Sequence, residues 1–420
     1  MYSSSVWFIK GFSYSILISV IVWVFQGCWS SSVFSYNTGL VSNIFIRDNL
    51  GFVMALLTLS VMWLMIIVDI RNFALYLSIV SAIFVYFVNN VLIFWFFYEL
   101  SIVSALYLLV KESYYPERYN ASWYMGGYIL VSSVPLLLCL LIISLIEGSL
   151  NVLFWGNDNS DLQVIYIVTI LMFCTKIPIF PFHSWLPIVH AEASSSVSII
   201  LSGYIMKLGL VGIIRICGSW IYEESIQSVG VMIFLISLMY LVWAYFEIDS
   251  KRWLAILSLS HIMVGVILVV LGYFNINFLA YNYCLGHGFS VCSMFLLLWW
   301  GYELVGSRSW LILSKLISVI LITQLISVFV FLGVSSFPPT LQFISEVILV
   351  WCSIVINDYV LIIIISLYLF GSSLVVLLLL GLVVICLFSE TNVIRLNSNN
   401  WMIVSIIYTS ILCLLMFIFV

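Results

Sequence analysis

Four charged side chains stand inside runs of apolar residues. Glu99 lies in Phe96-Phe97-Tyr98-Glu99-Leu100-Ser101, Lys176 two residues before Pro178, Lys207 near the middle of 196–217, and Glu346 seven residues after Pro339. A charge held at mid-membrane costs about 2.5–3.5 kcal/mol on insertion scales, so each requires a reason. Two carboxylates and two amines admit two readings: ion pairs that hold helices together, or a path along which a proton or another ion moves. His261 and His287 lie between Lys207 and Glu346 in chain order. Imidazole titrates near neutrality, so a file of Lys and His could pass protons; a hydrogen-bonded core histidine is the plainer alternative for each. His183 and His190 flank Trp185-Leu186-Pro187 and suit either a half-channel or interfacial anchoring. Glu192 is a further charge in the same stretch.

These groups need elements that place them at membrane depth. Lys176-Ile177-Pro178-Ile179-Phe180-Pro181 and Val334-Ser335-Ser336-Phe337-Pro338-Pro339 each interrupt an apolar run, close to a charged residue. Proline removes a backbone donor and frees a carbonyl. Freed backbone at membrane depth is tolerated only against protein or a watery cavity. Paired interruptions in two halves of a chain point to a transport site in an inverted repeat, here with the two broken helices related by an in-plane pseudo-twofold axis.

The rest of the chain supplies the frame. Of 420 residues, 65% are hydrophobic and 7% charged, with 13 basic and 17 acidic residues and a mean hydropathy of +1.27. Soluble chains carry about 25% charged residues, so this one cannot cover a soluble exterior. Disorder, a secreted disulfide scaffold, a coiled coil and a nucleic-acid binder are excluded at the same step. The fold class is all-α: a polytopic membrane protein of about 13 transmembrane helices, taking about 20 apolar residues for each crossing. The crossings fall near 12–29, 50–68, 73–89, 91–110, 122–146, 162–194 (interrupted), 196–217, 228–246, 253–272, 278–300, 311–356 (interrupted), 359–388 and 401–420; the run 359–388 is long enough to leave a second crossing open. Organisation follows: N-terminal helices over 1–90, a first half over 91–217, a second over 218–388, and a C-terminal loop with a last helix over 389–420. Met1–Lys10 does not read as a transit peptide.

Threading the chain this way puts Lys10, Arg71, Lys111, Arg118, Lys251, Arg252, Arg308, Lys315 and Arg395 on one side, with only Arg47 and Arg215 on the other. The side rich in Lys and Arg is the cytoplasm-like one, and the N-terminus lies on it. The nine cysteines are scattered through apolar runs with no CxxC pair, so metal or iron–sulfur ligation is not expected.

Five motifs in order carry a resemblance. Lys176 through Ala193 (KIPIFPFHSWLPIVHAEA), Met206-Lys207-Leu-Gly209-Leu-Val-Gly212-Ile-Ile-Arg215, Asp249-Ser-Lys251-Arg252-Trp-Leu-Ala255 with Ser258-Leu-Ser260-His261, His287-Gly288-Phe-Ser, and Phe337-Pro338-Pro339 followed by Glu346 resemble the antiporter-like membrane subunits of respiratory complex I. The resemblance covers roughly residues 80 to 400. It implies that Glu99 pairs with Lys176, that Lys207 is a central relay, that His261 and His287 lie on a hydrophilic axis, and that Glu346 is the charge of the second broken helix. Sister subunits usually carry lysine at that last place. The family often has proline where this chain has Ser194, opening Ser194-Ser195-Ser196.

The function implied is proton translocation within an NADH:ubiquinone oxidoreductase of the mitochondrial inner membrane, with the N-terminus in the matrix. The proton relay would comprise Glu99, Lys176, Lys207, His261, His287 and Glu346. No phosphate-binding loop or dinucleotide fingerprint occurs. NADH, FMN, iron–sulfur clusters and ubiquinone are therefore expected in partner subunits, and the partners are other membrane subunits, notably the sister antiporter-like ones, and the lipid bilayer. The alternative is a subunit of a cation/proton antiporter of the same fold. A purely structural scaffold does not account for centred charges beside paired breaks. The 16 Trp, 24 Tyr and 30 Phe beside so few charges resemble an organelle-encoded chain and favour the first reading.

Overall fold

The computed structural model describes residues 44–46, 48–70, 72–113, 115–155, 162–218, 220–222, 224–271, 277–319, 321–385 and 400–415. The expected crossing at 12–29 and the residues Lys10, Arg47, Arg71 and Arg395 lie outside these. The described residues form the helices α1 Asn49–Ile67, α2 Phe73–Phe87, α3 Val91–Glu112, α4 Arg118–Ile146, α5 Gln163–Lys176, α6 Trp185–Glu192, α7 Ser195–Cys217, α8 Glu224–Phe246, α9 Ser250–Leu271, α10 Asn277–Val305, α11 Trp310–Val319, α12 Leu321–Val334, α13 Leu341–Ile356, α14 Tyr359–Ile385 and α15 Asn400–Leu415. Eight of them are long and apolar enough to cross a bilayer alone. In lipid every backbone polar group must find a partner within the protein, which leaves helices as the answer to a chain of this composition. Serines obey the same rule: Ser78, Ser101, Ser258 and Ser353 each return their hydroxyl to a carbonyl three residues back.

The interruptions stand where the prolines require them. Residues 177–184 separate α5 from α6, and 335–340 separate α12 from α13. Pro178 has no N–H for the carbonyl of Cys174, which accepts instead from Ile179 N at 3.1 Å. The carbonyl of Thr175 is taken by the indole Nε1 of Trp185 at 3.1 Å, from the far side of the break. The stretch 311–356 is helical over 310–319 and 321–334 on one side of its proline break and over 341–356 on the other. The run 359–388, open to one crossing or two, contains the single uninterrupted helix Tyr359–Ile385.

Helices sort by burial. In α7 and α9 almost every residue is inside the protein, whereas α4, α8 and α14 turn apolar faces outward, as lipid-facing helices do. Helix α10 is the hub, packing on α1, α7, α9, α12, α13 and α15. Close approach depends on glycine at Gly209 and Gly212 of α7, where an added Cβ would strike Ile177 and the ring of Phe173. They let α7, with Lys207, lie directly against the end of the helix carrying Lys176.

Polar contacts define the two ends of the bundle. At one, Asn72 donates to Glu112 and Ser113 to the carbonyl of Glu192. There too, Lys251 Nζ donates to Ala193 O at 3.0 Å and Arg308 donates to Ala191 O. At the other end Arg215 pairs with Asp48 at 2.9 Å and caps Val88 O at 3.1 Å. The connections near 72, 113–117, 193, 249 and 308 therefore share one end, the basic one, as the charge distribution predicts. Single cysteines placed at exposed Tyr119 and Ile248 should react with an impermeant thiol reagent from the same side of the membrane, and one at exposed Phe154 only from the opposite side. Labelling of all three from one side would refute this topology.

Candidate proton-transfer site

The first cluster joins α3 to the end of α5. Lys176 Nζ lies 2.9 Å from Glu99 Oε1, with side-chain exposures of 7% and 12%, and 5.0 Å from the centre of the Tyr98 ring. Helix α3 starts from the Asn90 cap and presents Tyr98 and Glu99 to α5. A small cavity of about 20 Å³ lies beside the pair, lined by Ile102, Met125, Thr175, Lys176, Trp185 and Ile205.

The second cluster is Lys207 alone, fully buried. Leu201–Ile205 of α7 form a π-helical turn just before it, and its Nζ donates to the carbonyl of Ser202 within that turn. Such single wide turns are concentrated at functional sites. Lys207 has no carboxylate partner among the described residues.

The third cluster lies among α9, α10, α13 and α14. The rings of His261 and His287 are 5.6 Å apart, edge to face. Tyr283 lies parallel to His287 at 6.3 Å, and Tyr368 stands 6.5 Å from His261. Both tyrosines lie within electrostatic reach of Glu346. Glu346 is buried; its Oε2 accepts from Ser336 Oγ at 2.6 Å, and Ser336 sits at φ 51° in the second break. Several buried polar atoms here have no partner among the described residues: His287 Nε2, Glu346 Oε1, Asn282 Nδ2 and both amide atoms of Gln342. Buried polar groups are satisfied in folded proteins by protein or ordered water, so such a run of them marks where water belongs.

The structure thus gathers Glu99 with Lys176, His261 with His287, and Glu346 beside the tyrosines, with Lys207 between. No described hydrogen bond or ion pair joins one cluster to the next. Glu192 ends α6 at the basic end, near Arg308 and Arg252. His183 packs among Phe180, Tyr240 and Trp243, whereas His190 is wholly buried against Phe295 with neither ring nitrogen partnered among the described residues. Sequence reasoning missed Gln342, Asn282, Tyr283 and Tyr368, which carry no charge, and the π turn, whose only outward sign is the small polar pair Ser202-Gly203.

A family model described as the NADH:quinone oxidoreductase/Mrp antiporter transmembrane region matches residues 88–371. The chain belongs to that family. The matched span contains every residue of the three clusters. Among curated relatives, NADH-ubiquinone oxidoreductase chain 4 of Locusta migratoria is 32% identical over 67% of this chain; the chain spans 64% of the length of that relative. Solved structures share the fold over most of the chain. A chain of respiratory complex I from Thermus thermophilus superposes with a TM-score of 0.77 at 20% identity, covering 89% of this chain and 81% of its own. A chain of the Mrp complex from Dietzia sp. superposes with a TM-score of 0.81 at 16% identity, covering 98% and 89%. Its apolar helices and family make this a multi-pass membrane protein.

Proposed function

We propose that this chain is the proton-translocating membrane subunit of an NADH:ubiquinone oxidoreductase in the mitochondrial inner membrane, its N-terminus in the matrix. The observation that carries the reading is the buried Glu99–Lys176 pair at one end of a succession of interior titratable groups: Lys207, the two histidines and Glu346. Opening the pair moves a carboxylate's influence relative to Lys207. A carboxylate brought nearer favours the ammonium, and one withdrawn favours release of its proton. The proton then passes His287 and His261, with water between, to Glu346, and leaves on the side poor in Lys and Arg. In each step a nitrogen or oxygen gains the proton that its neighbour gives up, so no electron chemistry is required of this chain. NADH, FMN, iron–sulfur clusters and ubiquinone belong on this reading to partner subunits, and the sister antiporter-like subunits are the neighbours in the membrane.

The extent of the match to the Mrp chain, 98% of this one, supports a second reading, a cation/proton antiporter subunit. Sealed membranes holding the native assembly separate the two. NADH oxidation should drive proton translocation that is unchanged when sodium is replaced by choline. Sodium-dependent proton exchange with no NADH present would favour the antiporter and overturn the first reading.

A further inference from the structure

Serines line the approach to Lys207 from the basic end of the bundle. Glu112, half-buried at the end of α3, accepts from Ser196 Oγ at 2.8 Å and Ser194 Oγ at 3.5 Å through Oε2, and from Asn72 through Oε1. Ser194 and Ser196 also share a hydrogen bond at 2.9 Å. This cluster sits at the start of α7, and further serines follow inside it. Ser198 is fully buried, and its hydroxyl has no partner among the described residues. Ser202 is fully buried and donates to Ser198 O at 2.7 Å; Ser202 O in turn accepts from Lys207 Nζ.

The π turn places Lys207 on this line. At about 100° per residue, Ser194, Ser198 and Ser202 lie on one face, but Lys207 would fall about 140° from Ser202 in an unbroken α-helix. A wide turn absorbs one extra residue and reduces the offset to about 40°. Successive serines four residues apart are separated by about 6 Å along the axis, a gap that one bridging water spans.

We propose that Glu112, Ser194, Ser196, Ser198 and Ser202 form the proton-uptake ladder that feeds Lys207 from the basic end, an inference that rests on the proton-translocating reading above. The Glu112 carboxyl passes its proton to the Ser196 hydroxyl. Each hydroxyl forms one O–H bond as it breaks another, through the intervening waters, and the neutral Lys207 amine ends as the ammonium. The serines return unchanged, and Glu112 is reprotonated from the aqueous side. Serine hydroxyls suit this role because each both donates and accepts.

The test uses membranes holding the assembled enzyme, with Lys207→Ala as the internal benchmark for a blocked path. Glu112→Gln and Ser198→Ala should both lower proton translocation per electron pair and per assembled enzyme to the Lys207→Ala level. Ser198→Thr, which keeps the hydroxyl, should restore at least half of the loss. Wild-type translocation in Glu112→Gln and Ser198→Ala, with Lys207→Ala still depressed, would overturn the ladder and place uptake elsewhere, with buried His190 the next group to replace. Equal losses in Ser198→Ala and Ser198→Thr would also overturn it, because packing rather than the hydroxyl would then be responsible. If Ser198→Ala does not assemble, Glu112→Gln at the half-exposed end decides alone. Normal translocation in Lys207→Ala itself would mean instead that the proton-translocating reading has failed.

Discussion

Replacing Lys207 with alanine should slow proton transfer through this chain by about 10²-fold, the lower end of what a positioned acid–base group supplies, and so remove this chain's share of the protons moved, while leaving the chain inserted and assembled. Its ammonium has no carboxylate partner among the described residues, so the substitution strands no opposite charge. The side chain is fully buried and packed within α7, so some loss of stability is expected; the amount of assembled enzyme, measured on native gels, corrects for it. Lys207→Arg should also impair translocation, because a guanidinium holds its proton throughout the working range. The measurement is protons moved per electron pair by membranes with matched enzyme content. Unchanged stoichiometry in both variants would make Lys207 a structural partner only.

The Glu99–Lys176 pair separates holding from moving. Removing one member of a buried pair leaves the other charge without its partner and costs about 3 kcal/mol, the lower end of the usual range. Glu99→Gln and Lys176→Met should therefore each lower the thermal stability of the assembled enzyme. The double substitution should be less destabilising than the sum of the two, since no lone charge remains. Translocation should behave differently: the double variant should pump as poorly as either single one, because the charge that acts on Lys207 is gone. A double variant with restored stability and normal pumping would show that the pair only holds α3 against α5.

Much of this was legible in the sequence because lipid leaves few options. Nearly every apolar run within the described residues became a helix within a few residues of its expected limits, and the prolines at 178, 181, 338 and 339 marked both breaks. Glu99 and Lys176 stood out by charge and depth, and their pairing was what the family resemblance implied. What stayed hidden had other causes. Glu192 lies in a short helix whose tilt and depth no hydropathy window resolves. Tyr283, Tyr368 and Gln342 are uncharged, and each belongs to the polar interior only because of which way its helix turns. The π turn before Lys207 is a backbone event with no obligatory residue. The role of the serines at 194–202 depends on that turn, since without it the line of hydroxyls and the lysine would face different neighbours.

The short helix α6 ends against three neighbours. The carbonyls of Ala191, Glu192 and Ala193 receive Arg308, Ser113 and Lys251 in turn, while its other end, Trp185, borders the break and the cavity beside Lys176. Mechanically this is a rod of about 12 Å, anchored at the basic end and tied at the proline break to the preceding helix through the Trp185 indole. A tilt about the anchor moves Trp185 most and leaves His190, next to the pivot, almost still. Two of the three anchors, Arg308 and Lys251, belong to the later part of the chain. A small shift at those anchors would be carried along α6 to the indole that borders Lys176 and holds the Thr175 carbonyl.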